Sequence, residues 1–175
     1  MKSIALAAAF ALPFTATALF AAGGGEEKAP SKPKCQKGLI YDKKSKSCVS
    51  AQESNLDVDS LYENLRELAY AGRYDDARSV LAQMPVDDDR TLTYLGFTAR
   101  KTGDMKAANA YYTRALEVNP ANILARSYMG QGFVTQGRLI EAVAQLRAIQ
   151  EHGGSGTWAE ASLRRAIMDG TPTDY

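Results

Sequence analysis

The feature that most constrains this chain is a glycine that returns in register. Gly72, Gly103 and Gly137 stand 31 and 34 residues apart, and each is followed five positions later by an alanine, Ala77, Ala108 and Ala142. An apolar residue comes two positions after each glycine (Tyr74, Met105, Leu139), and a bulky one nine positions after it (Leu81, Tyr112, Leu146). Around the middle glycine, Leu92, Leu95, Gly96 and Ala99 precede, and Met105, Ala108, Tyr112, Ala115 and Leu116 follow, at the three- and four-residue spacing of a helical stripe. The pattern predicts two amphipathic helices joined at Gly103, each with one face to bury. Small residues at Gly96, Ala108 and Ala115 let the two backbones approach, and Asn119-Pro120 closes the unit because proline disfavours helix at the residue before it. One such hairpin cannot bury both faces alone, so copies are required.

The three units in register resemble the tetratricopeptide repeat, a helix-turn-helix unit of 34 residues. Residues 89–122 match best, with Leu92, Leu95, Gly96, Ala108, Tyr112, Ala115 and Pro120 on signature positions and Ala99 in place of the usual aromatic. Residues 123–156 keep Gly130, Phe133 and Ala142 but lack the closing proline. Residues 58–88 depart most, with Leu65 at the small-residue position and Met84-Pro85 shortening the second helix. The resemblance implies an all-α solenoid of about three helical hairpins over residues 56–169. Thr157-Trp158-Ala159-Glu160 reads as a capping box for one more helix, residues 157–169, which would cover the open end with Trp158 and Leu163 turned to the third hairpin. Residues 170–175 form a tail.

In that family the first helices of successive hairpins line a concave face that meets an extended peptide or a partner helix. Carried over by position, the face holds Asp59, Tyr62, Arg66 and Tyr70, then Arg90, Thr93, Phe97, Arg100 and Lys101, then Leu124, Ser127, Gln131 and Thr135. The partner-binding candidates are Tyr62, Arg66, Tyr70, Thr93, Phe97, Arg100, Lys101, Ser127 and Gln131, with an exposed Phe97 beside Arg66 and Arg100 at the centre. Some members clamp a terminal carboxylate with paired lysines and asparagines. The asparagines are missing here, so that ligand is not implied.

The N-terminal third reads differently. Residues 1–22 carry Lys2, an alanine-rich apolar run and a small-residue end, which reads as a secretory signal peptide and places the mature chain in the periplasm or outside the cell. An uncleaved anchor is the alternative, since about 17 to 25 apolar residues span a bilayer. Residues 23–34 have the composition of a flexible linker. In residues 35–50, Cys35 and Cys48 bracket Leu39-Ile40-Tyr41 and a polar turn. Two cysteines of an exported chain at hairpin spacing predict a disulfide-closed β-hairpin. The run is faintly similar to part of a peritrophin-type chitin-binding module, a family that uses six cysteines. Charged and small polar residues surround the three large apolar ones in this loop, so the hairpin is expected to be independent of the helices; the alternative is that it packs on the first helical hairpin as an N-terminal cap, which would account for the irregularity of residues 58–88.

Charge separates the two parts. Residues 28–48 hold seven lysines against Asp42 alone, while residues 49–175 hold 13 Lys and Arg against 17 Asp and Glu. The basic arm suits an anionic envelope polymer; nucleic acid is not expected, because the arm has little aromatic interleaving and export removes that partner. Catalytic and cofactor motifs are missing. Gly130-Gln131-Gly132 falls within a predicted helix without the third glycine of a dinucleotide loop, His152 has no neighbouring nucleophile, and two thiols with one histidine do not complete a metal site. Asp87, Asp88 and Asp89 read as helix-capping carboxylates instead of metal ligands. The expectation is a non-catalytic protein-protein adaptor with no cofactor and no metal, and no membrane span once the signal is removed.

Overall fold

The structure, a computed structural model, describes residues 33–172. The signal-peptide reading of residues 1–22, most of the linker and the end of the tail lie outside the described residues. The fold is mostly helical and repeat-like: strands β1 (Leu39–Asp42) and β2 (Ser47–Ser50) precede helices α1 (Val58–Tyr70), α2 (Tyr74–Leu81), α3 (Asp89–Lys101), α4 (Met105–Val118), α5 (Ile123–Thr135), α6 (Leu139–Glu151) and α7 (Trp158–Asp169).

Local chemistry sets most boundaries. Asp57 Oδ1 accepts from Ser60 N (2.8 Å), Asp88 Oδ1 from Arg90 N and Thr91 N (both 3.0 Å), Asp104 Oδ1 from Ala107 N (2.9 Å) and Asn122 Oδ1 from Ala125 N (2.8 Å). Each side chain satisfies amides that a helix start leaves without a partner. The recurring glycines end α1, α3 and α5 with φ of +74°, +91° and +71°. At each, the glycine amide donates three residues back and the next amide five back: Arg73 to Leu68 O, Asp104 to Ala99 O and Arg138 to Phe133 O, all 2.9 Å. This is one Schellman turn made three times, and only glycine adopts its left-handed conformation without strain. Helix α2, with 8 residues, is the shortest of the described helices, as the Met84-Pro85 stop leads one to expect. Its end tightens through Gln83 N to Val80 O and Met84 N to Leu81 O ahead of Pro85.

Helices α1, α3, α5 and α7 touch in series, and each even helix packs beside the odd ones that flank it in sequence. Two glycines within helices let a neighbouring helix come close. A Cβ on Gly96 would meet the Tyr112 ring at 2.5 Å, and one on Gly130 would meet Leu163 Cδ2 at 2.6 Å. The small residue of the second hairpin thus seats its own partner helix, whereas that of the third seats α7. Leu163 is wholly buried, as read from the sequence, and Trp158 is half-buried against Tyr128. Thr157 caps α7, but Glu160 reaches back to Gly156 N (2.8 Å) instead of the cap residue, while also accepting from Gln150 Nε2 (2.6 Å).

The disulfide Cys35–Cys48 is present, and β1 pairs antiparallel with β2, Ile40 opposite Val49. The hairpin is not independent of the helices, which corrects the sequence expectation. Ile40 and Ala51 are 3% and 4% exposed and join the same core as Leu61, Leu65 and Leu68. Tyr41 N donates to Asn64 Oδ1 (2.8 Å) and Asn64 Nδ2 returns a bond to Tyr41 O (3.0 Å), so a side-chain amide of α1 pairs with the edge strand as another strand would. Arg73 donates through Nη1 to Cys35 O and through Nη2 to Gln36 O, both 2.7 Å, and Asp76 Oδ1 accepts from Gly38 N (2.9 Å). Polar side chains of α1 and α2, not the apolar count inside the loop, decide the docking.

Reduction of the disulfide is therefore expected to lower the melting temperature of the helical signal by several degrees, from a loss of up to roughly 3 kcal/mol in the chain-entropy model. Circular dichroism with and without reductant measures it, and coincident melts would mean that the docking adds nothing. Gly96→Ala is expected to destabilise the fold by roughly 1–3 kcal/mol, because the new methyl drives into the Tyr112 ring; urea unfolding reads the value.

Candidate functional site

The candidate face is built on the odd helices, and aromatic rings join them. Tyr62 meets Tyr94 edge-on at 5.6 Å, Tyr70 meets Phe97 at 5.6 Å, Phe97 lies 4.9 Å from Tyr128, and Tyr128 lies 6.3 Å from Trp158. The ladder runs from α1 through α3 and α5 to α7. The Tyr70 hydroxyl bonds the Tyr94 hydroxyl at 2.8 Å and also bonds that of Tyr128. Sequence reasoning missed Tyr94 and Tyr128, which fall on the buried flanks of α3 and α5. Their spacing of 34 residues, one repeat, was the available signal.

Cations lie over these rings. The Arg66 guanidinium is 5.9 Å from both Tyr62 and Tyr70, Arg90 is 5.0 Å from Tyr62, and Lys101 Nζ is 5.8 Å from Phe97. Arg90 also pairs with Asp59 (2.8 Å), whose carboxylate is the first cause of its raised pKa. Arg100 stands 5.6 Å from Phe97 and 6.0 Å from Tyr128 at 8% exposure, and its Nε makes no hydrogen bond. The ring faces offset only part of the hydration that an arginine so placed loses.

Five of the candidate partner-binding residues are buried, against the exposure expected of them: Thr93 (1%), Phe97 (2%), Arg100 (8%), Ser127 (0%) and Gln131 (1%). Phe97 is enclosed between Tyr70 and Tyr128. Thr93 Oγ1 accepts from Asn122 Nδ2 (3.0 Å) and ties α3 to the start of α5. Ser127 Oγ donates to Ala159 O (2.8 Å) and Gln131 Nε2 to Ser162 Oγ (3.0 Å), so the third set of positions holds α7. Helix α7 covers this third stretch of the candidate face.

Tyr62, Arg66, Tyr70 and Lys101 remain partly exposed, joined by Tyr74. Between the 69–72 turn and α3, Tyr70, Tyr74 and Lys101 line a groove of about 260 Å³ floored by Phe97. That volume is below the roughly 300–1,000 Å³ of small-molecule pockets and suits one inserted side chain. No acidic side chain lines it. A second, apolar strip on α6 carries Leu139, Ile140, Val143 and Ala144, with Ile140 85% exposed. Among the described residues no group of three His, Cys, Asp or Glu side chains is placed to share a metal ion, and no helix is long and apolar enough to cross a membrane. His152 Nε2 faces Arg126 Nη2 at 3.3 Å.

No family model matches this chain, and neither a curated protein nor a solved structure matches it.

The buried hydroxyls make the fold sensitive to alkali. Burial pushes Tyr112 up to about 12, although the neighbouring Arg100 charge pulls the other way, and burial first, then Tyr70 and Tyr62, raise Tyr94 well above the ordinary value of 10. A phenol whose folded pKa is raised stays protonated after the unfolded chain has released its proton, so stability is intact below pH 10 and lost as pH climbs towards 12. Each such group takes away about 1.4 kcal/mol per pH unit in that window. Tyrosinate absorbance is expected to show two phenols titrating together with unfolding, and Tyr112→Phe is expected to shift the alkaline midpoint upward.

Proposed function

We propose that this chain is a non-catalytic interaction module of the tetratricopeptide-repeat type, whose partner is another protein. On this reading the six helices α1 to α6 are three stacked hairpins of a short solenoid, closed by α7 at one end and by the β-hairpin at the other. The thrice-repeated glycine turn and the serial packing of the odd helices support it. The single observation that carries the binding role is the groove beside Phe97, where partly exposed tyrosines and a lysine border a space of one side chain on the face that the resemblance implies. Tyrosine and cation-π pairs are the groups that concentrate energy at protein interfaces. The reading moves the binding residues towards α1 and the α1–α2 turn: Tyr62, Arg66, Tyr70, Tyr74 and Lys101.

Export to an oxidising compartment belongs to the same proposal. A disulfide with one sulfur-bearing residue exposed, Cys48, persists outside the reducing cytosol. The alternative, adhesion of the basic hairpin to an anionic envelope polymer, is weakened because Lys43 and Lys44 face Glu63 (2.5 Å) and Asp57 (3.6 Å).

Crosslinking in intact cells followed by mass spectrometry tests the groove. The double variant Tyr74→Ala with Lys101→Glu is expected to lose the crosslinked partners of the wild type while keeping its helical signal. Retention of every partner by a folded double variant would sink the assignment.

A further inference from the structure

We propose that the Cys35–Cys48 hairpin is a redox-sensitive strut for the groove: the disulfide fixes the groove wall, and its reduction by a dithiol loosens that wall and weakens partner binding. This rests on the groove reading above. The wall of the groove is the 69–72 turn with Tyr74, and the residue between Gly72 and Tyr74 is Arg73. Its side chain is the clip that holds the hairpin, through Nη1 to Cys35 O and Nη2 to Gln36 O, both 2.7 Å. Nε of the same guanidinium bonds Asp76 Oδ2 (2.7 Å), and the other oxygen of Asp76 accepts from Gly38 N (2.9 Å). One arginine and one aspartate therefore tie the first turn of α2 to the chain on both sides of Gln36 and Lys37.

The acceptors of Arg73 are fixed from the other side by the disulfide. Residues 35–38 precede β1 and have no strand partner of their own; Cys35 is joined to β2 through Cys48, opposite Tyr41. Cutting that bond leaves Cys35 O held by Arg73 and Gln36 O by Arg73 and the Leu39 amide (3.2 Å), and a planar fork loses its value when its acceptors move independently. The equivalent turn of the second hairpin is an internal contrast. Gly103 and Asp104 make the same backbone bonds as Gly72 and Arg73, to Arg100 O and Ala99 O, but Asp104 spends its side chain on the amide of Ala107 within its own helix.

The chemistry is an ordinary two-electron exchange. A thiolate of the dithiol attacks Sγ of the exposed Cys48, since Cys35 is 7% exposed, and the Cys35 sulfur leaves as thiolate. The second thiol of the reductant then attacks its own sulfur in the mixed disulfide and releases Cys48. The reductant ends as a disulfide, and its two protons end on Cys35 and Cys48.

Amide hydrogen exchange on the full chain, oxidised and after dithiothreitol, reads the strut without any partner. Well below the melting temperature, Gly72 and Arg73 are expected to exchange roughly tenfold faster on reduction while Gly103 and Asp104 stay unchanged. Arg73→Gln in the oxidised protein is expected to reproduce the acceleration, with reduction adding little to it, and to lower the crosslinking yield. Unchanged exchange at Gly72 and Arg73, or equal acceleration at Gly103 and Asp104, overturns the strut. If exchange is unchanged but Tyr74→Ala with Lys101→Glu loses its partners, the groove stands and the strut falls. If that variant keeps its partners, the groove falls, and with it the link from disulfide to binding.

Discussion

The arrangement of the helices depends on the junction of three phenols. Tyr70, Tyr94 and Tyr128 come from α1, α3 and α5, and their hydroxyls bond one another through Tyr70. A phenol buried without a hydrogen-bond partner is destabilising, whereas its ring gains from every apolar contact. Both demands are met only if the three odd helices hold one relative height, with Phe97 in the space among the rings. The junction links α1 to α5 although α3 lies between them, and so resists sliding of either neighbour. The same packing explains why Arg100 is tolerated: its charge rests on ring faces that are already fixed.

The helices, their order and their turns were legible in the sequence, because those features answer to local rules. Glycine at 72, 103 and 137 is required by a left-handed backbone, and Asp57, Asp88, Asp104 and Asn122 cap by side chains that reach only two or three residues. The exposure of the candidate face was not legible. Position in a repeat names the direction of a side chain, but whether that direction is open depends on how closely the next helix comes. Thr93 and Phe97 lie on a helix flanked on both sides, and Ser127 and Gln131 lie under a helix whose start is about 30 residues further on.

The hairpin illustrates the same limit from the opposite side. Its pairing is local and follows from the cysteine spacing and the polar turn. Its docking rests on Asn64, Arg73 and Asp76, separated by 23 to 38 residues from the groups they bind, and in sequence these look like ordinary solvated positions on two amphipathic helices. Counting apolar residues inside the loop addressed the wrong quantity. The backbone of an edge strand and of the segment before it needs hydrogen-bond partners wherever it is buried, and a helix can supply them.

Helix α7 and the β-hairpin pack on the other helices by different means, and the difference decides which side chains stay exposed. At the far end α7 repeats the geometry of the preceding odd helices, so it packs flush: Leu163 enters the space above Gly130, and Ser127 and Gln131 bond its backbone and Ser162. At the near end a strand pair cannot imitate a helix. It meets α1 and α2 from the side, through Ile40 and the Asn64 and Arg73 clips, and so leaves the α1–α3 edge of the ladder open. Leu65, at the position where the later hairpins carry glycine, is wholly buried in the core. The least regular hairpin is thus the one beside which Tyr62, Arg66, Tyr70 and Lys101 stay partly exposed.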